Sequence, residues 1–289
     1  MPLTHTRTFR VRYYECDARG YLNHTNYLRY MQEAAFDASA AAGYGLARYT
    51  AMGRFWLVRE TDIEYLRPLY YEDSVEVKTW VADFRRVRSR RLYEFRLVGS
   101  GELVARGNTD WAFLESATGR PAVIPTEMVA TFLPEGRPAA VLPRGRFPVA
   151  APPSRGVFRI ERRVGWGDLD PAQHVNNAVY LTYLEDCGVR ALAASGWPPD
   201  RMRSSGFGFE ARRHQIEYLQ PALLDDELEL ATWASGLEQR TLVRDYTIAR
   251  VGDDALLARG RMVDECVELS TGQPMPLPPS FLEDVASIS

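Results

Sequence analysis

The sequence predicts an α+β fold made twice in tandem, each module one long helix followed by a run of antiparallel strands. Three observations predict it. Shifting the chain by 153 residues superposes its halves without a gap: Ile63-Glu64-Tyr65-Leu66-Arg67-Pro68 falls on Ile216-Glu217-Tyr218-Leu219-Gln220-Pro221, and Ala105-Arg106-Gly107 on Ala258-Arg259-Gly260. Asp17, Asn23, Tyr27, Leu28 and Tyr30 likewise meet Asp170, Asn176, Tyr180, Leu181 and Tyr183. Separate blocks held in one register mark a duplicated domain. Early in each copy, apolar residues recur at helical spacing; later, apolar and polar residues alternate as in half-buried strands.

The elements follow in order. Thr8 to Tyr14 reads as a first strand. From Thr25 to Ala42, residues Tyr27, Leu28, Met31, Ala34, Ala35, Ala38 and Ala42 form one helical stripe, closed by Gly43. In the second copy Gly196 with Pro198-Pro199 closes the matching helix. Trp56 to Leu66, Ser74 to Ala82, Arg90 to Val98 and Leu103 to Leu114 alternate as strands, punctuated by Pro68, Gly99-Gly101 and Gly119-Pro121. The organisation is a first module over 1–132, a proline-rich spacer over 133–156 and a second module over 157–289. The spacer carries Pro134, Pro138, Pro143, Pro148, Pro152 and Pro153 and lacks a hydrophobic period. The tail after Pro279 is expected to fray.

Composition excludes several function classes. Of 289 residues, 46% are hydrophobic and 25% charged, as in ordinary globular protein. The net charge of −3 argues against a dedicated nucleic-acid binder. No window approaches the ~18 apolar residues of a membrane span. Met1 to Arg12 lacks an apolar signal region, and Cys16, Cys187 and Cys266 show neither disulfide nor metal spacing, so a cytoplasmic location and no bound metal are expected.

The segment Val11-Arg12-Tyr13-Tyr14-Glu15-Cys16-Asp17-Ala18-Arg19-Gly20, with His24 and Tyr27, resembles the opening of hotdog-fold acyl-CoA thioesterases of the 4-hydroxybenzoyl-CoA thioesterase family. Trp166-Gly167-Asp168-Leu169-Asp170, with His174-Val175-Asn176-Asn177 and Tyr180, resembles the other common spelling of that segment. The Ile-Glu-Tyr-Leu-x-Pro strands and the turns at Asp73 and Asp226 match as well. The resemblance implies a tandem double hotdog, each module a long central helix wrapped by an antiparallel sheet of about five strands. Double-hotdog chains are also similar to acyl-carrier-protein thioesterases. The plant carrier-protein enzymes place an Asn two residues after the motif Asp, where this sequence has Arg19 and Ala172.

Thioester hydrolysis needs a carboxylate to activate water or attack the carbonyl, and donors for the developing oxyanion. The resemblance assigns the carboxylate to Asp17 and Asp170, just ahead of a helix whose first amides are natural oxyanion donors. The alternative for each Asp is to cap the loop or helix start. His24, His174 and Asn177 are candidates to orient the thioester or donate to the oxyanion; ordinary hydrogen bonding at the helix start is their other reading. Asn23, Asn176, Tyr27 and Tyr180 are candidate substrate contacts. An acyl chain leaving this point has its nearest apolar surface on Tyr27, Leu28 and Met31, or Tyr180, Leu181 and Leu184, with Trp56 and Phe209 placed to set its end.

Arg88 and Arg90 belong to the run Arg85-Arg86-Val87-Arg88-Ser89-Arg90-Arg91. It reads as a solvated turn, or as a contact for CoA phosphates or an acidic carrier protein. The expected substrate is an acyl-CoA or acyl-carrier-protein thioester, with CoA or phosphopantetheine entering only as part of the substrate and no other cofactor. The sequence allows homo-oligomers of double-module chains. Two rival readings stand beside hydrolysis: a non-catalytic acyl-CoA-binding hotdog, and a hotdog hydratase, whose paired Asp and His motif is not found.

Overall fold

The structure, a computed structural model, describes residues 1–136, 145–150, 153 and 156–286. Half of the proline-rich spacer therefore lies outside the described residues. The chain divides into two compact units, Met1–Arg146 and Phe147–Ser289.

In the first, β1 (Thr4–Arg10) leads through a single 3-10 turn (Tyr13–Glu15) to α1 (His24–Ala41) and the short α2 (Leu46–Ala51). Then come β2 (Arg54–Tyr65), β3 (Ser74–Arg85), β4 (Arg88–Leu97), β5 (Leu103–Glu115) and α3 (Thr126–Phe132). The strands pair antiparallel in the order β1-β3-β4-β5-β2. The second unit repeats the plan with β6 (Phe158–Arg163), a 3-10 turn (Trp166–Asp168), α4 (Asn177–Ala194) and α5 (Pro199–Ser204). β7 (Phe207–Tyr218), β8 (Glu227–Glu238), β9 (Thr241–Arg250), β10 (Leu256–Glu268) and α6 (Pro279–Ala286) complete it, in the order β6-β8-β9-β10-β7. This is the hotdog arrangement, once per unit.

Two boundaries differ from the sequence reading. The first strand ends at Arg10, because the backbone amide of Arg12 turns to the carboxylate of Glu15 at 2.9 Å and starts the 3-10 turn. Pro279–Ala286 form α6, where the sequence reading expected a frayed tail. Its Phe281 is fully buried, packed on Trp197 and Phe207, so the apolar contact outweighs end fraying.

Each long helix lies on its sheet through a face of Tyr27, Leu28, Met31, Ala34 and Ala38, or of Tyr180, Leu181, Leu184 and Cys187. Close approach is set by one glycine per module. A Cβ at Gly107 would sit 2.8 Å from the Asp62 carbonyl and 3.3 Å from Cε of Met31; at Gly260 it would sit 2.5 Å from Cδ1 of Leu184. These positions correspond across the repeat, so the helix is seated the same way twice. Gly107→Ala and Gly260→Ala are each expected to lower unfolding free energy by about 1–3 kcal/mol, by overpacking. Urea melts of each variant check this, and an unchanged midpoint would show that the helix can ride higher on the sheet.

Beyond the C-terminal end of each long helix a second apolar cluster forms. In the first module it holds Tyr44, Tyr49, Phe84, Phe113, Met128 and Phe132, with Trp56 packed against it. In the second it holds Trp197, Phe207, Leu242, Leu277 and Phe281, with Phe209 against it.

Candidate active site

A carboxylate two residues before the motif Asp builds the loop. Glu15 is buried, and its side chain accepts the Arg12 amide (2.9 Å) and the Tyr30 hydroxyl (2.6 Å). Burial and this bond push the Tyr30 phenol well above its ordinary range, so it stays a neutral donor. The Glu15 carbonyl accepts the Asn23 amide and Nδ2 of Asn26, both at 2.9 Å, tying the loop to the helix start. In the second module Asp168 takes the Gly165 amide at 2.8 Å, and its carbonyl takes the Asn176 amide at 2.9 Å. The sequence reading did not single out these anchors. Their signal was present, since an acidic residue precedes the motif Asp by two in both copies.

Asn23 and Asn176 are the N-caps. Their side chains accept the amides of Thr25 and Ala178, each at 3.0 Å. Asn176 does a second job, because its Nδ2 donates to Oδ2 of Asp170 at 3.2 Å.

The two motif carboxylates are half-buried and differently dressed. Oδ1 of Asp17 accepts the amides of Arg19 (2.8 Å) and Tyr21 (3.1 Å), while Nε of Arg19 stands 3.5 Å from Oδ2. Asp170 accepts the Ala172 amide at 2.8 Å on Oδ1 and Asn176 on Oδ2, with Nδ1 of His174 at 4.0 Å from Oδ1. Nδ1 of His174 also lies 3.3 Å from the Val175 carbonyl. Each Asp thus organises its turn as the capping alternative required. A capped carboxylate is still a base. The turn itself needs a left-handed residue, which is Gly20 in one copy and Gln173 (φ 64°) in the other.

The candidates of the second module converge on Asp170, which lies within hydrogen-bond reach of Asn176 and ion-pair reach of His174, and Asn177 opens α4 beside them. The Asn177 amide has no partner among the described residues, whereas Ala178 and Val179 donate to Asn176. It is an orphan donor at the positive end of the helix dipole. In the first module His24 occupies the Asn177 position, and its ring packs on Tyr65 with centroids 4.6 Å apart.

Tyr27 and Tyr180 are both buried. The Tyr180 hydroxyl accepts the Ala222 amide at 2.9 Å, and burial pushes its phenol up to about 12. Tyr27 is buried at the corresponding position beside Leu69, and burial pushes its phenol well above the ordinary range. The Tyr180 bond holds the strand-linking turn to the helix.

Arg88 is exposed at the start of β4. Arg90 is not a surface residue. Buried on β4, it donates through Nε (3.0 Å) and Nη2 (2.6 Å) to Asp110 on β5. A guanidinium so engaged is not on hand for a substrate phosphate, which corrects the reading that grouped it with the exposed run.

Residues 2–132 match the family described as "Acyl-ACP thioesterase N-terminal domain", and residues 164–285 match "Thioesterase-like superfamily". A "Putative esterase" of Aquifex aeolicus is 30% identical over 131 residues, which cover 45% of this chain and 96% of that protein. A chloroplastic acyl-[acyl-carrier-protein] hydrolase of Cuphea viscosissima is 27% identical over 191 residues, 63% of this chain. The match spans 46%, about half, of that relative's length. The crystal structure of an oleoyl thioesterase (putative) from Lactobacillus plantarum superposes with a TM-score of 0.79 at 18% identity, covering 91% of this chain and 96% of that one. That likeness establishes the fold over both modules. With the two family matches filling both halves of the repeat, the chain belongs to the thioesterase-like superfamily of hotdog folds.

Proposed function

We propose that this chain hydrolyses an acyl thioester of coenzyme A or acyl carrier protein to the free acid and the thiol, at the helix start of the second module. The observation that carries the reading is the joining of Asp170 to Asn176 and His174 beside an unpartnered helix amide. Asp170 takes a proton from water as the water oxygen attacks the thioester carbonyl, or attacks that carbon itself. The Asn177 amide receives the developing oxyanion. When the C–S bond breaks, the thiolate takes up a proton. On the water route the acid departs at once; on the covalent route water then hydrolyses the acyl-Asp170 anhydride to release it. CoA or phosphopantetheine is present as part of the substrate.

Asp17 is different. Held by two amides and faced by the Arg19 guanidinium, it serves chiefly to shape its loop. The similarity to a carrier-protein hydrolase and to thioesterase-like proteins supports the reaction class. No helix among the described residues is long and apolar enough to cross a membrane.

The test is thiol release across a panel of acyl-CoAs of increasing length. Each buried methylene adds ~0.8 kcal/mol of binding, so KM should fall with length and then stop falling at a cutoff. Phe209, at 5.3 Å from Phe281 in the same module, stands where the chain would end. Phe209→Ala is expected to move the cutoff to longer acyl groups. Binding of every acyl-CoA without thiol release would favour the non-catalytic reading, and a flat length profile would place the chain elsewhere.

A further inference from the structure

Arg91 follows Arg90 on β4 and faces the other way. Strand alternation puts it with Tyr93 and Phe95 on the face turned to α1, where Phe95 packs on Tyr27 with ring centroids 5.5 Å apart. Its guanidinium donates one hydrogen bond, from Nη1 to Oγ1 of Thr79 at 3.4 Å, and Thr79 is itself fully buried. Among the described residues no carboxylate pairs with it; its electrostatic neighbours are Tyr49 and Tyr93. Those hydroxyls are engaged, Tyr49 with Ser39 at 2.9 Å and Tyr93 with Thr109 at 3.0 Å. Arg91 keeps 7% of its surface accessible, against 1% for Tyr93, so part of it borders open space rather than packed atoms. The surroundings are apolar. The Phe132 ring lies 5.8 Å from the guanidinium carbon, and Phe84, Phe113 and Met128 belong to the same buried cluster.

The second module carries the same arginine and satisfies it. Arg244 stands at the Arg91 position and donates through Nη1 to the Gly188 carbonyl of α4 at 2.9 Å. Glycine makes this approach possible, since a Cβ there would lie 2.8 Å from Nη1. In the first module that position is Ala35, which carries the Cβ. Ser39 and Tyr49, in turn, are replaced by Leu192 and Met202 in the second. A buried cation without a counter-charge is costly. One copy has removed the cost with a backbone carbonyl. The other holds the charge unmatched beside hydroxyls and an aromatic wall.

We propose that the first module is a binding site for a carboxylate with an apolar body, the carboxylate seated on the Arg91 guanidinium and the body laid against the cluster of Phe84, Phe113 and Phe132. A guanidinium presents its donors in a fixed fork that a planar carboxylate accepts in bidentate fashion. The anion supplies the charge that the fold leaves out, and the aromatic wall takes the remainder out of water. The site lies within the first module and takes part in no step of the hydrolysis proposed above, whose acid product is one ligand of this class.

Octanoate is the probe, titrated into the full chain by calorimetry beside octanol and octylammonium. Octanoate should bind, and the other two at least about tenfold more weakly, because only the anion answers the guanidinium. Arg91→Met should raise the octanoate Kd about tenfold or more, Arg91→Lys less, and Arg244→Met should leave it within about twofold of the parent. Without ligand, Arg91→Met should hold or raise the urea midpoint, since it removes a charge the fold does not pair, whereas Arg244→Met should lower it. Octanoate should raise the midpoint of the parent and not that of Arg91→Met. The proposal is overturned by equal binding of octanol, by octanoate binding that survives Arg91→Met, or by no octanoate binding below about 10 mM. Loss of the fold in Arg91→Met would overturn it too, making the arginine a structural element. Thiol release enters none of these readings, so a failure of the hydrolysis proposal leaves them standing.

Discussion

Asp170→Asn is expected to lower thiol release by about two to four powers of ten, the usual contribution of a general base or nucleophile. The substitution is nearly isosteric. It keeps an oxygen to accept the Ala172 amide and a polar neighbour for Asn176, so the loop should hold its shape. Asp17→Asn, at the corresponding position, should cost no more than about tenfold, since Arg19 already faces that carboxylate. Steady-state rates on one acyl-CoA, with a urea midpoint for each variant, separate chemistry from folding. Equal losses at both positions would mean two working sites, and full activity in Asp170→Asn would remove the mechanism proposed.

The second large effect is on stability. Asp110→Ala leaves the Arg90 guanidinium buried without its carboxylate, whereas Asp245→Ala unpairs the half-buried Arg261, whose Nε and Nη2 both reach Asp245 at 2.9 Å. Removing one partner of a buried pair costs about 3–5 kcal/mol. Chemical unfolding monitored by tryptophan fluorescence should show that loss for Asp110→Ala and a smaller one for Asp245→Ala, where water reaches the arginine. A change below about 1 kcal/mol in Asp110→Ala would place that pair in effective contact with water.

The fold was legible because its signals are local and were written twice. Helix spacing from Tyr27 to Ala42 and strand alternation after Trp56 need no partner to be seen, and the repeat registered them against each other. The site was legible only in part. Asp170, His174 and Asn176 lie within one short loop, so their proximity follows from chain connectivity. Arg90 was misplaced for the opposite reason: its partner Asp110 is 20 residues away, and strand register decides whether an arginine in a basic run points to water or to a carboxylate. Alternation cannot supply register. The tail failed similarly, because Phe281 is held by Trp197 and Phe207, contacts that no local pattern announces.

The buried pairs bear on how the two copies can exchange parts. In the first module the arginine is Arg90 of β4, and the carboxylate is opposite it on β5. In the second the pair sits one same-face position away and runs the other way, with Asp245 on β9 and Arg261 on β10, while Val243 and Val263 fill the places of Arg90 and Asp110. Grafting β10 opposite β4 would set Arg90 against a valine and Arg261 against Leu92. Grafting β5 opposite β9 would set Asp110 against Val243 and Asp245 against Asn108, each charge without its partner. Each hairpin is therefore inherited whole. The copies have become mutually incompatible by recombination at their centres, while their helices remain seated on corresponding glycines, so the ancestral symmetry survives in the packing and has been lost in the electrostatics.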